Sequence, residues 1–192
     1  MIALPPAGEL IVARFLQGPT VPTTRALLGQ YLCRTMSNGS VERWPICEVE
    51  AYDGPEDKAC HAHRGKTPRN AVMFEPGGVW YIYLCYGVHE LLNIVTGPKD
   101  FPAATLIRGA GGVYGPGRLT KALKINRDQN KRPSALTTGL WLESSGFTVP
   151  DDAVEATPRI GIDYAGREWA GKLNRFHLPP DRYYAIFGAS PR

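Results

Sequence analysis

Glu48, Glu50 and Tyr52 occupy alternate positions in the segment 44–52, with Cys47, Val49 and Ala51 between them. In a β-strand these two sets point to opposite faces. A carboxylate kept from water beside an aromatic ring has a raised pKa and can take a proton from a water molecule. The same spacing also describes a polar strand face turned to solvent, so spacing alone leaves both readings open. His61 and His63 follow in a polar, turn-rich stretch over 53–72. With Cys60, and with Cys85 or His89 as further donors, they supply ligand types that zinc favours. The paired spacings of a metal site are missing, and the alternative is a pair of hydrogen-bonding loop histidines.

Trp80, Tyr81, Tyr83 and Tyr86 crowd one short segment, VWYIYLCY over 79–86. Aromatic residues favour strands, and a packed sheet accounts for most of them. Tyr81 and Tyr83 share a face, whereas Tyr86 precedes Gly87 at a turn. A tyrosine at a hairpin tip can stack on a nucleobase or wedge into a duplex. Arg118, Lys121, Lys124, Arg127, Lys131 and Arg132 lie within fifteen residues, opposed by Asp128 alone. On a helix beginning near 117 the first three span an arc of about 120°, with Leu119, Ala122 and Leu123 roughly opposite. That describes either a solvated amphipathic helix or an edge that contacts phosphates.

The charge distribution bears on this choice. Residues 1–60 carry five Lys/Arg against seven Asp/Glu, residues 61–132 eleven against four, and residues 133–192 six against seven. The net charge of +4 therefore arises from a middle third at +7, which suits a polyanionic partner. Gly112–Leu119 misses the phosphate-binding P-loop, having Arg-Leu where Lys-Ser/Thr is required. No complete G-x-G-x-x-G or G-x-S-x-G occurs, which removes the commonest nucleotide-cofactor and serine-hydrolase readings.

These groups need elements to hold them. The 192 residues fit one domain with a real core. The 21 glycines and 17 prolines exclude a helical bundle and favour short strands and turns. Thr23 or Thr24 is expected to cap a short helix carrying Leu27, Leu28, Tyr31 and Leu32. Two strands are expected to flank Asn38-Gly39, a hairpin signal. Residues 79–86 and 91–96 read as a second hairpin and 103–108 as a further strand. Residues 109–117 read as a glycine-rich loop and 117–126 as a short helix. The remainder reads as turns and short strands ending near Tyr184–Phe187. No apolar run is long enough to span a membrane. The first sixteen residues lack the basic start of a secretory signal, so the four cysteines are expected to be reduced thiols.

Taken in order, several motifs resemble one family: Glu48-Val-Glu50-Ala-Tyr52-Asp-Gly-Pro-Glu56-Asp-Lys-Ala-Cys-His61, Thr67-Pro-Arg69-Asn70, Met73-Phe74, Tyr81-Ile-Tyr83-Leu-Cys-Tyr86-Gly87 and Leu92-Asn93-Ile94. The likeness continues through Leu106-Ile-Arg108, Gly115-Pro-Gly117-Arg118-Leu119, Arg159-Ile-Gly161-Ile, Glu168-Trp169 and Arg175-Phe176. The family is that of the alkyladenine DNA glycosylases, the mammalian-type 3-methyladenine DNA glycosylases, and the likeness runs from about Leu10 to Phe187.

The resemblance implies an α+β fold, a single compact domain over 1–192 with a curved antiparallel sheet and short helices, like the C-terminal domain of formyltransferases. It implies an enzyme that flips alkylated or deaminated purines out of double-stranded DNA and hydrolyses the N-glycosidic bond, as a monomer, without metal or organic cofactor. Carried over by position, Glu50 is the general base and Arg108 helps hold the water and the carboxylate. Tyr52, His61 and Tyr83 are walls around the flipped base, and Asn93 disfavours the exocyclic amine of guanine. Tyr86 is the wedge in the duplex. Thr67, Arg69, Met73, Val88, His89 and Arg118 are DNA-facing. The competing readings are a non-catalytic nucleic-acid binding module and a metal-dependent hydrolase using Cys60, His61 and His63. The segment 109–117 is shorter than the charged insert of many members. The compact N-terminus suits a prokaryotic cytoplasmic form acting at the nucleoid; a eukaryotic one would be nuclear.

Overall fold

The computed structural model describes residues 4–188; the ends of the expected 1–192 domain, residues 1–3 and 189–192, lie outside the described residues. Two short helices, α1 (Ala13–Leu16) and α2 (Thr20–Ala26), precede strands β1 (Tyr31–Thr35) and β2 (Val41–Asp53). Next come β3 (Trp80–Cys85), β4 (His89–Val95), β5 (Ala103–Ala110) and β6 (Val113–Tyr114), then α3 (Pro116–Ala122) and β7 (Leu140–Glu143). The chain ends with β8 (Glu155–Thr157), α4 (Gly166–Gly171), β9 (Arg175–His177) and α5 (Pro180–Phe187). The architecture is an α+β fold in which an open antiparallel sheet runs β3-β4-β5-β2-β1-β7, with β6 on β5, β9 on β2 and β8 on β9.

Register decides which residues share a face, because directly opposed residues point the same way. Trp80 faces Ile94, Ile82 faces Leu92 and Val49 faces Ile107. These residues form the buried core, closed by Leu119 and Leu123 around α3 and by Leu27 and Leu28 after α2. The other face carries Tyr81 opposite Asn93, Asn93 opposite Leu106, Leu106 opposite Glu50 and Ala104 opposite Tyr52. Alternation thus gives one sheet an apolar core on one side and a wall of polar and aromatic side chains on the other. Glu48 is 3% exposed and Glu50 0%, so the solvated-strand reading of this face does not hold.

Two irregularities interrupt the β2–β5 ladder. Ile46 pairs with Ala110, Glu48 with Gly109 and Val49 with Ile107. Cys47 is therefore an extra residue on β2 and Arg108 an extra residue on β5. Bulges of this kind re-aim side chains and cluster beside active sites.

The expected elements differ from the structure in four places. The helix expected to carry Tyr31 and Leu32 begins earlier, at Thr20, and is over before Gly29, whose φ of +80° breaks it. A Cβ on Gly29 would lie 2.7 Å from Val149 Cγ2, so a side chain has no room there. Tyr31 and Leu32 pass into β1, and Thr24 bonds the Thr105 hydroxyl at 2.6 Å instead of capping the helix. The loop expected over 109–117 contains a tight hairpin. Gly111 and Gly112, at φ +62° and +75°, turn β5 into β6, as a primed two-residue turn requires. Helix α3 ends at Ala122, and Lys124 takes φ +50°. The terminal segment expected as strand is the helix α5, begun by Pro180 at its first turn and anchored by buried Tyr183.

Candidate active site

The polar face of the sheet opens into a cavity of about 490 Å³. Tyr81 and Tyr83 from β3, Leu91 and Asn93 from β4, and Ala104, Leu106 and Arg108 from β5 form its sheet wall. The loop after β2 supplies Ala59 and His61. The segment 160–164 closes the opposite side with Ile160, Gly161, Ile162 and Tyr164.

Glu50 lies directly beneath this wall. Its Oε2 accepts from the Tyr52 hydroxyl at 2.9 Å, and its Oε1 accepts from the Ile160 N–H at 2.9 Å. Arg108 Nη1 stands 3.3 Å from Oε1. All three partners border the cavity. Burial pushes the Glu50 carboxyl above the usual carboxylate range, against the pull of Arg108, the Ile160 N–H and Tyr52. A carboxylate so placed is more basic than an exposed one. Tyr52 is itself buried and, next to Glu50, has its pKa raised well above normal, so it stays protonated and keeps donating.

Glu48 has a different environment. Its Oε1 accepts from Arg108 Nε at 2.8 Å and from Arg175 Nε at 2.7 Å. Burial alone would raise its pKa, but Arg108 and Arg175 outweigh burial and hold it below the usual range. Arg108 thus bridges two carboxylates, and its own pKa is raised because Glu50 and Glu48 together exceed the effect of burial.

The loop that brings Ile160 to Glu50 is tied down one residue earlier. Arg159 is 4% exposed and Asp57 0%. Arg159 donates through both Nη atoms to Asp57, at 2.8 Å for Nη2, and also to the Ala51 carbonyl at 2.8 Å. Its guanidinium lies 4.8 Å from the Tyr52 ring centre. Asp57 also accepts from the N–H groups of Asp53 and Ala59, each at 3.0 Å.

The rings around the cavity are fixed to one another. His61 Nδ1 is 2.9 Å from the Tyr81 hydroxyl, and the His61 ring meets Tyr83 edge-on at 4.6 Å. Burial and the neighbouring Arg69 hold the His61 pKa below its ordinary value, so the ring is neutral at neutral pH. Asn93 gives its amide N–H groups to the carbonyls of Tyr81 and Leu91 at 3.0 and 3.3 Å. Its Oδ1 is left as the acceptor this side chain can offer the cavity. Arg69 lies over the Tyr83 ring at 5.6 Å.

At the rim, the β3–β4 turn places Tyr86 and Gly87 at φ +50° and +71°. Tyr86 is 92% exposed and Val88 72%, which makes an apolar tip beside the cavity mouth. Tyr164 faces the same opening, its hydroxyl 3.1 Å from the Ala59 carbonyl.

The structure therefore gathers Tyr52, His61, Arg69, Met73, Tyr83, Tyr86, Asn93 and Arg108 around one cavity, with Glu50 beneath it. Thr67, Val88, His89 and Arg118 lie off the cavity. Met73, expected to face DNA, borders the cavity and is otherwise packed inward. It belongs to the short helical turn Ala71–Phe74 and is 2% exposed, packed with Tyr81, Val95 and Ala104. An apolar side chain at that position is buried by the turn that carries it. Thr67 is engaged locally, its N–H bonded to Asn70 Oδ1 at 2.7 Å. His89 packs over Gly117, where a Cβ would come within 2.8 Å of its Nδ1.

The residues of the metal reading separate. Cys60 Sγ lies 3.5 Å from the Pro102 carbonyl, His63 Nδ1 is 2.8 Å from that of Pro55, and His61 is bonded to Tyr81. Among the described residues no group of three His, Cys, Asp or Glu could hold a metal ion.

Several residues of the site carry no sequence signal for their role. The Ile160 N–H is a backbone group 110 positions from Glu50. The Arg159–Asp57 pair spans 102 positions. Tyr81 is foreshadowed by sharing a face with Tyr83, and Glu48 by sharing one with Glu50.

The methylpurine-DNA glycosylase family matches residues 14–114 and 112–182. The chain belongs to this family. A relative from Psychrobacter cryohalolentis, provisionally named a 3-methyladenine DNA glycosylase, is 36% identical over 200 residues, covering 88% of this chain and 93% of the relative. One from Myxococcus xanthus with the same provisional name is 43% identical, covering 82% and 84%. The human DNA-3-methyladenine glycosylase is 35% identical, covering 90% of this chain and 67% of the human protein.

Proposed function

We propose that this DNA glycosylase, a monofunctional hydrolase of base-excision repair, takes a damaged purine from double-stranded DNA into the 490 Å³ cavity and cuts its N-glycosidic bond with water activated by Glu50. The observation that carries the reading is the Glu50 carboxylate, fully buried, held by two hydrogen-bond donors and an ion pair with Arg108, and set beneath an aromatic cavity. A base within a duplex stack is out of reach of such a group, so the nucleotide must leave the helix first. Tyr86, exposed at the hairpin tip, fills the gap left behind.

Tyr52, His61 and Tyr83 then bracket the flipped base. Alkylation makes many purines cationic, and ring faces attract cations. The proposed substrates are accordingly of the 3-methyladenine, 7-methylguanine, hypoxanthine and ethenoadenine class. A neutral His61 suits this, because an imidazolium would repel a cationic base. Asn93 Oδ1 offers an acceptor at the sheet wall.

Water attacks the anomeric carbon, and its proton passes to Glu50. The carbon–nitrogen bond breaks with its electron pair going to the departing base, which leaves an abasic sugar. Arg108 orients the carboxylate and the water. Among the described residues the cavity wall carries no lysine, so no amine is placed to form a Schiff base and no strand cleavage is expected. The protein acts as a monomer in this reading.

The test is single-turnover base release from a duplex holding one hypoxanthine or one alkylpurine. Glu50→Gln should reduce the rate by about 10²- to 10⁴-fold, the usual loss of a general base. Release at the wild-type rate would remove Glu50 from the mechanism.

A further inference from the structure

We infer that Glu48 is a positioning residue that holds Arg108 away from a full ion pair with Glu50 and so keeps Glu50 free to act on water. This deepens the proposed function and rests on Glu50 being the base. Arginine prefers to meet a carboxylate with two parallel N–H bonds, which would satisfy both oxygens. Arg108 does not meet Glu50 that way. Its Nε is bonded to Glu48 at 2.8 Å, and only Nη1 reaches toward Glu50, at 3.3 Å. The fork is turned by Glu48, which is 3% exposed and is itself fixed by Arg175 Nε at 2.7 Å on the same oxygen. The two bulges make the arrangement possible. The extra residue on β5 is Arg108 itself, and both register shifts flank Glu48.

The charges are balanced across strands, with two carboxylates on β2 facing Arg108 on β5 and Arg175 on β9. The other titratable or charged groups around the pair are His177 on β9 with its partner Glu155 on β8, Arg159, Tyr52 and Tyr83. His177 is the one of these whose ordinary titration range lies near a carboxylate acid limb, and burial lowers its pKa further.

The expected outcome is a pair of opposite effects on the acid limb of the pH–rate profile for base release. Glu48→Gln removes a negative charge and frees Arg108 to pair with Glu50, so the limb should move to lower pH by about half a unit or more. Arg175→Met removes a positive charge and leaves Arg108 more tightly held by Glu48, so the limb should move to higher pH. A His177→Gln control should leave the limb in place. Limbs unmoved in both Glu48→Gln and Arg175→Met, or shifted in the same direction, would overturn the inference, as would a limb abolished by His177→Gln. If Glu48→Gln does not fold, the upward shift in Arg175→Met decides alone. Loss of activity in Glu50→Gln with unmoved limbs in the others would leave the base assigned and sink only the role of Glu48. Wild-type release by Glu50→Gln would instead fail the reading beneath it.

Discussion

At the scale of the residue, Glu48 and Glu50 are two identical side chains that the fold drives apart in acidity. Glu50 is fully buried, and its folded pKa lies above the unfolded value. Its contribution to stability is complete below the ordinary carboxylate range and is lost as pH rises through the raised value. Glu48 has the opposite sign. Held by Arg108 and Arg175, it contributes stability above the ordinary range and loses it as pH falls through its lowered value. Thermal unfolding across pH should therefore show Glu50→Gln melting above the parent protein near neutrality, with the gap closing in acid. Glu48→Gln should melt below it near neutrality, with its deficit shrinking in acid. A Glu50→Gln protein that melts lower at neutral pH would mean that its two hydrogen bonds and the Arg108 ion pair outweigh the cost of burying the charge. The alternation of Glu48, Glu50 and Tyr52 was legible as a single face. Which carboxylate is the basic one came from the family resemblance and not from the alternation, because it depends on β9 and on the 159–160 backbone, more than 100 positions away.

At the scale of the element, the β3–β4 hairpin sets the proposed wedge on a backbone that a tyrosine disfavours. A tyrosine at φ +50° sits where glycine is the natural choice, and such strain commonly persists at functional sites. Tyr86→Gly should keep or slightly raise the melting temperature, while duplex unstacking, read by 2-aminopurine fluorescence beside the lesion, is lost. A clear fall in melting temperature would show that the ring packs against the protein. The aromatic run and the turn at Gly87 announced this hairpin in the sequence. The β5–β6 hairpin was hidden because five glycines in nine residues read as loop, and two of them form the primed turn. The early end of α2 was hidden because Gly29 is dictated by Val149 across the fold.

At the scale of the whole molecule, the positive middle third divides, with Arg69 and Arg108 lining the cavity and the basic residues of α3 lying off it. Arg118, Lys121 and Lys124 are exposed around α3, whereas Arg127 is paired with Glu90 at 3.0 Å. DNA affinity should fall linearly with the logarithm of salt concentration. Arg118→Ala should flatten the slope by about one and Arg127→Ala by less. An unchanged slope for Arg118→Ala would take the N-terminal end of α3 off the DNA. The net charge pointed to a polyanion; it did not indicate that two carboxylates of β2 would be buried together on one face. The two bulges in the β2–β5 ladder constrain how such a molecule can change over time. Cys47 adds one residue to β2 and Arg108 adds one to β5, so the ladder returns to step by Val49 and Ile107. Each extra residue is unpaired, so losing either one leaves the remaining pairs in register. Losing both gives an uninterrupted ladder but deletes the guanidinium. Chain length can therefore change at Cys47 without disturbing the pairing, whereas at Arg108 the same change takes away the group that bridges Glu48 and Glu50.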